Sequence, residues 1–295
     1  MASPMASPQV ILITGCAKGI GKEAALFLAR DPQRRFKVYA TMRNMATRQE
    51  ELKTEAGDIL NDTLFIRELD VTKQETIDKT LKEIVDTEGK IDVLVNNAGI
   101  TTGAWWETGP MEAYYDVMEV NYFGCVRMTR AIVPFMKEKR SGRILQISSV
   151  LGFHAVPPSA QYVASKFALE GFSESIAPPL RKFNIWVSLI EPGLVATKMA
   201  RQFGDNPTAV YIHKANQIPG DEERRIVMDM VTFDPEIVIG NEMQEPQEIA
   251  QLFQDIILSP KPDFRYQTSQ TIKRLAKQQF VDPTGNAIMN AWLKE

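Results

Sequence analysis

The sequence predicts an α/β fold in a single domain, a doubly wound parallel sheet with helices on both faces. Short all-apolar runs rich in branched side chains recur along the chain, each of strand length, as strands buried on both faces require. Longer stretches with apolar residues at helical spacing separate them, and a glycine-rich turn joins the first strand to the first helix.

The first strand is Val10 to Thr14 (VILIT), ending at a glycine. Residues 18–30 follow as a helix with Ile20, Ala24, Phe27 and Leu28 on one face, stopped by Asp31-Pro32. Further buried strands are Lys37 to Met42, Thr63 to Leu69, Asp92 to Asn97, Arg143 to Ser148 and Trp186 to Glu191. Amphipathic helices run over about 73–88, 111–138 and 161–181. Pro178-Pro179 should kink the last of these or end it early. Residues 1–8 read as a frayed tail and 9–295 as one domain. After Glu191 the pattern weakens: residues 196–245 mix proline, glycine and the charge run Asp221 to Arg225 before a helix at Pro246 to Leu258. The run reads as a solvated helix face, and the whole stretch as an irregular lid on the substrate side.

Composition narrows the function. The 295 residues carry 34 basic and 37 acidic side chains, a net charge of −3, and 44% of them are hydrophobic. That balance is ordinary for a globular protein and provides no basic footprint for nucleic acid. Two cysteines and two histidines supply neither a disulfide framework nor a metal-ligand cluster, so no metal is expected. The N-terminus lacks the basic and apolar regions of a secretory signal, and no run reaches the roughly 18–20 apolar residues of a membrane span. The expectation is a cytoplasmic protein, for which contact with a membrane surface through an apolar patch remains open.

The turn Thr14-Gly-Cys-Ala-Lys-Gly-Ile-Gly21 sits where doubly wound folds bind dinucleotides, with Gly15, Lys18, Gly19, Ile20 and Gly21 at the start of the helix. Glycine lets a pyrophosphate approach the backbone and the positive helix N-terminus. An acidic residue after the second strand would select NAD through the ribose 2′-hydroxyl. Met42 and Arg43 stand there instead, and with Lys18 they form a cationic setting suited to the 2′-phosphate of NADP(H). Tyr162 and Lys166 are four residues apart, one turn on one helical face, after a strand that ends in Ser148-Ser149. Cys16 has no base beside it and reads as packing.

The glycine loop, Asn96-Asn-Ala-Gly99, Asn121, Ser149, the Tyr162–Lys166 pair and Pro192-Gly193 together resemble the short-chain dehydrogenase/reductase family, over about Val10 to Thr197. Lys37 to Arg43, Ser165 to Gly171, Pro260 to Pro262, Arg265-Tyr266 and Asp282 to Gly285 are similar to its steroid- and retinol-converting subgroup, that of type 1 17β-hydroxysteroid dehydrogenase and photoreceptor-type retinol dehydrogenase. The resemblance implies a Rossmann-like fold, NADP(H), a bulky apolar alcohol or carbonyl as substrate, and a homodimer. It makes Asn121, Ser149, Tyr162 and Lys166 catalytic: the tyrosine exchanges a proton, the lysine lowers its pKa, the serine orients the carbonyl oxygen, and the asparagine serves a relay water. For Asn121 a buried amide at a helix irregularity is the competing reading.

The resemblance also implies cofactor contacts from Asp70, Val71, Asn97, Pro192, Val195 and Thr197, with substrate contacts from Phe153 and Val156 beside Ser149 and Tyr162. Trp105, Trp106 and Pro157 are candidates for the apolar wall, with core packing as the alternative. His154 reads as wall or solvent-facing. Matching the C-terminal segments sets Glu295 where the steroid enzyme uses a glutamate, and Ile226 near its histidine. That implies weak discrimination for a distal hydroxyl. A second class of function, a non-catalytic dinucleotide sensor, is disfavoured because serine, tyrosine, lysine and asparagine are all present.

Overall fold

The computed structural model describes residues 7–102, 104–157, 159–197, 207–233, 243–279 and 284. Alternation within the first strand shows how the layers arise. Along β1 (Gln9–Ile13), Ile11 and Ile13 enter one apolar cluster while Val10 and Leu12 enter another on the opposite face. The other elements follow as α1 (Gly19–Ala29), β2 (Phe36–Met42), α2 (Met45–Arg48), α3 (Glu50–Ala56), β3 (Leu64–Glu68), α4 (Gln74–Glu88) and β4 (Val93–Asn96). Then come α5 (Met111–Met118), α6 (Gly124–Lys139), β5 (Gly142–Ile147), α7 (Ala160–Arg181) and β6 (Ile185–Glu191). The chain continues through α8 (Pro207–Ala215), α9 (Asp221–Phe233), α10 (Pro246–Leu258), β7 (Arg265–Gln267) and α11 (Gln270–Gln279).

The strands form one parallel sheet in the order β3-β2-β1-β4-β5-β6-β7. β1 lies between β2 and β4, with Ile11 opposite both Val38 and Val93. The direction of winding reverses there, and such a reversal opens a crevice at the carboxyl ends of the strands. One face is covered by α1, α3 and α10, which share a cluster with Ile11, Val38 and Leu145. The other is covered by α4, α6 and α7, around Leu12, Leu94 and Ile144. A third cluster sits beyond the strand ends. It joins Val150, Leu151 and Phe153 to Tyr211, Val227 and Leu275 of the C-terminal helices and to Ile218 in the turn between α8 and α9.

Three expectations are corrected. Pro178 and Pro179 neither end α7 early nor stop it before Arg181. Ala177 and Leu180, on either side of the prolines, are both buried on the sheet, so packing holds the last turn despite two missing N–H donors. The described part of 196–245 is largely two helices, α8 and α9, rather than irregular chain. A seventh strand, β7, pairs with β6 from Leu189 opposite Arg265 to Glu191 opposite Gln267. Strand ends otherwise shift by at most one residue, and α10 has the expected bounds. Among the described residues no helix is long and apolar enough to cross a membrane.

Candidate active site

The glycine loop closes on the crevice between β1 and β4. Gly15 and Gly19 adopt the left-handed region, at φ 76° and 65°. A Cβ on Gly15 would lie 2.8 Å from the Ala98 Cα, and one on Gly21 would collide with the Asn97 amide. Asn97 donates from Nδ2 to the carbonyls of Thr14 (2.8 Å) and Gly15 (3.2 Å), stapling the exit of β4 to the loop. Lys18 caps α1 without a side-chain hydrogen bond, and the first turn of α1 carries no acidic residue. This helix end therefore keeps its positive character toward the crevice.

One end of the cleft is lined by Gly15, Lys18, Gly19, Ile20, Arg43, Arg48, Asp70, Val71 and Asn97. Lys18, Arg43 and Arg48 are exposed there, and no ion pair involves them among the described residues. Arg48 is a residue that sequence reasoning missed. Met42 lines the same end but is 2% exposed and belongs to the core cluster. The carboxylate of Asp70 accepts from the Thr72 N–H (3.0 Å) and hydroxyl (2.8 Å), so it also shapes the turn into α4.

At the other end Ser149, Tyr162, Lys166, Pro192, Val195 and Thr197 line a continuous cleft, sharing Ile20, Asn97 and Thr197 with the first part. The two serines have different tasks. Ser148 donates its hydroxyl to Glu170 Oε1 at 2.6 Å, behind the site. Ser149 Oγ accepts from the Leu151 N–H at 3.1 Å, which leaves its own hydrogen available for a ligand oxygen. The Tyr162 hydroxyl has no hydrogen-bond partner among the described residues. Lys166 is 4% exposed; its Nζ donates to the Ile147 carbonyl at 2.7 Å and stands 5.4 Å from the Tyr162 ring centroid.

Asn121 is fully buried in a π-helical turn, Glu119–Phe123, between α5 and α6. Its Oδ1 accepts from the Ile100 N–H (2.8 Å), and its Nδ2 donates to the Ile100 carbonyl (2.9 Å) and Ser165 Oγ (3.0 Å). The amide thus braces the cleft-lining Ile100 against the helix that carries Tyr162. Phe153 and Val156 lie in the third cluster, behind Val150 and Leu151, and do not reach the cleft surface. Trp105 packs on the same cluster, whereas Trp106 is exposed. His154 is half-buried and not itself among the lining residues, though its N–H donates to the carbonyl of lining Val150 at 2.9 Å. Burial pushes the Cys16 thiol up to about 12, as a packing residue requires. Ile226 is 45% exposed on α9, while Glu295 and residues 282–283 lie outside the described residues.

The family model for short chain dehydrogenase matches residues 9–208, which include every element of this cleft up to Thr197. The chain is a member of the short-chain dehydrogenase family. It is 38% identical over 291 residues to human retinol dehydrogenase 8, covering 95% of this chain and 88% of that protein. It is 35% identical over 295 residues to human 17-beta-hydroxysteroid dehydrogenase type 1, covering 97% of this chain and 85% of that one. A solved short-chain dehydrogenase from Streptomyces avermitilis superposes with a TM-score of 0.71 at 26% identity, over 98% of this chain and 97% of the other. As a short-chain dehydrogenase, the chain belongs to a family of oxidoreductases that bind a nicotinamide dinucleotide.

Proposed function

We propose that this short-chain dehydrogenase interconverts a bulky apolar alcohol and its carbonyl, of the retinoid or steroid kind, with NADP(H). The observation that carries the reading is the single cleft with Ser149, Tyr162 and Lys166 at one end and Lys18, Arg43 and Arg48 at the other. The glycine loop fits a dinucleotide: Gly15 and Gly19 turn it at positive φ, and the bare Gly15 and Gly21 let it lie directly on Ala98 and Asn97 at the crevice. When bound, NADP(H) supplies or accepts the hydride. The three cations hold its 2′-phosphate, and Ile20, Asp70, Val71, Asn97, Pro192, Val195 and Thr197 complete its walls. In a cytoplasmic setting, where that cofactor pool is reduced, the direction is reduction.

The residues divide the remaining chemistry. Ser149 donates its spare hydrogen to the carbonyl oxygen and steadies the negative charge that develops there. The Tyr162 O–H gives its proton to the same oxygen as it becomes an alcohol. Lys166, fixed on the Ile147 carbonyl, sets a positive charge near the ring, which stabilises the phenolate left behind. Asn121 holds Ile100 and Ser165 in place, so its side chain positions the site. The helices over 207–233 form the substrate-side cover. Exposed Met111, Tyr115, Phe123 and Phe167, on α5, the π turn and α7, form the face for a second copy in a homodimer.

The test is NADPH consumption with a retinoid aldehyde, a ketosteroid and a small carbonyl compound, for the native protein and Tyr162→Phe. Oxidation with the apolar carbonyls is expected, reduced about 100-fold or more in the variant while NADPH still binds. Binding of NADPH with no turnover of any carbonyl would favour a dinucleotide sensor. Activity that survives Tyr162→Phe would remove the tyrosine from the mechanism.

A further inference from the structure

Lys214 takes no part in the chemistry above, yet it lines the same cleft as Ser149, Tyr162 and Lys166. It comes from the last turn of α8. Its Nζ donates to Ser159 Oγ at 3.0 Å and stands 5.8 Å from the Tyr211 ring centroid. No carboxylate pairs with it among the described residues. An ammonium has three N–H donors, so two of its three have no acceptor there. The neighbouring walls are Val150, Leu151, Leu194 and Val195, all apolar. Burial alone pulls the Lys214 pKa down to about 8, which leaves the side chain mostly charged at neutral pH.

A partly buried cation with no counter-ion among the described residues is costly in the empty site, and an anion arriving with the ligand would offset that cost. The hydroxyl of Ser159 and the ring face of Tyr211 do not neutralise a charge. The cofactor is the less suitable source of that anion. Its phosphate subsite has Lys18, Arg43 and Arg48, and Lys214 does not line that end of the cleft. We propose that Lys214 is a specificity residue: it receives an anionic oxygen group, carboxylate or sulfate, carried by the apolar substrate whose carbonyl reacts at Tyr162. This rests on the oxidoreductase reading and narrows its substrate class to anionic amphiphiles.

Two matched pairs test it at saturating NADPH: a long-chain oxo-carboxylic acid against its methyl ester, and a ketosteroid sulfate against the free ketosteroid. The native protein is expected to prefer the anionic member of at least one pair by about ten-fold or more in kcat/KM. The pair that shows it tells carboxylate from sulfate. Lys214→Arg should keep the preference, and Lys214→Gln, which retains a donor for Ser159, should bring the ratio near one. The proposal is overturned if neither anionic compound is preferred, or if the preference survives Lys214→Gln. It is equally overturned if Lys214→Gln lowers both members of a pair alike, or weakens NADPH binding while the ratio stays. If Lys214→Gln does not fold, Lys214→Ala is judged by the same ratios. If no compound is turned over, the oxidoreductase reading fails by itself. The ratios are then taken from calorimetric dissociation constants, and the same outcomes decide the role of Lys214.

Discussion

Arg43 and Arg48 show what one charge can select. Both are exposed at the adenosine end of the cleft, and with Lys18 they give it three cations against the single carboxylate of Asp70. A phosphate gains charge-assisted hydrogen bonds from such a group, whereas a ribose hydroxyl gains little. Arg43→Ala should raise the dissociation constant for NADPH by about ten-fold or more and change that for NADH less than about two-fold. Arg48→Ala should act in the same direction. Fluorescence titration with both cofactors measures it, and equal losses would make these arginines mere packing. The exchange Met42→Asp is a poorer probe, because Met42 is buried in the core and its replacement would lodge a carboxylate there. The sequence shows Arg43 directly after the second strand. It hides Arg48, because that residue depends on a four-residue helix and on Asn44 turning the chain at φ 54°.

At the scale of elements, β6, β7 and α7 are joined by one guanidinium. Arg265 donates from Nη1 to Glu170 (2.6 Å) and to Glu191, and from Nη2 to Glu174 (2.5 Å). Glu170 also takes the Ser148 hydroxyl, and Gly152 is a glycine because any Cβ there would meet both of these side chains. Burial and repulsion by Glu170 outweigh Arg265 at Glu191 and push its carboxyl up from 4.5 to about 8. Between those values the folded state keeps a proton that the unfolded chain has released, so this group's contribution makes stability fall as pH rises. Glu191→Gln removes the titration and retains a carbonyl for Arg265. It should melt several degrees above the native protein at pH 8 and close to it at pH 5. A melting difference independent of pH would show that Glu191 is ionised throughout. β7 was not legible in the sequence. It has three residues, two of them polar, so no apolar run marks it, and its place depends on partners 74 to 95 residues away. Leu180→Ala should cost about 2–5 kcal/mol, measured by denaturant unfolding, because Leu180 anchors the proline-containing turn of α7.

Across the whole molecule, three apolar clusters set different properties. The two that flank the sheet follow from period-two alternation in buried strands, which is why the sheet and its flanking helices were legible. The third is assembled from the 150–156 turn, α8, α9 and α11, four segments whose apolar residues have no meaning until they meet. For the same reason Phe153 and Val156 could be assigned to the neighbourhood of the substrate but not to the wall behind it. Tyr162 and Leu194 pack against this cluster, so its shape sets the apolar part of the cleft. Leu275→Ala, far from the glycine loop in sequence, should raise KM for an apolar carbonyl several-fold with little change in the NADPH dissociation constant. Parallel losses of both would show that the cluster supports the fold in general.

The guanidinium of Arg265 has a consequence for how this chain can diverge. With Glu170 and Glu191 both buried on it, loss of Arg265 leaves two acidic groups without their cation in a region closed to water. Positions 148, 170, 191, 265 and 267 should therefore drift together across related sequences, with acidic residues at 170 and 191 surviving only where 265 stays basic. A chain that drops Arg265 alone would have to lose a carboxylate in the same lineage. Reconstructed ancestors of the family offer a historical test of that order.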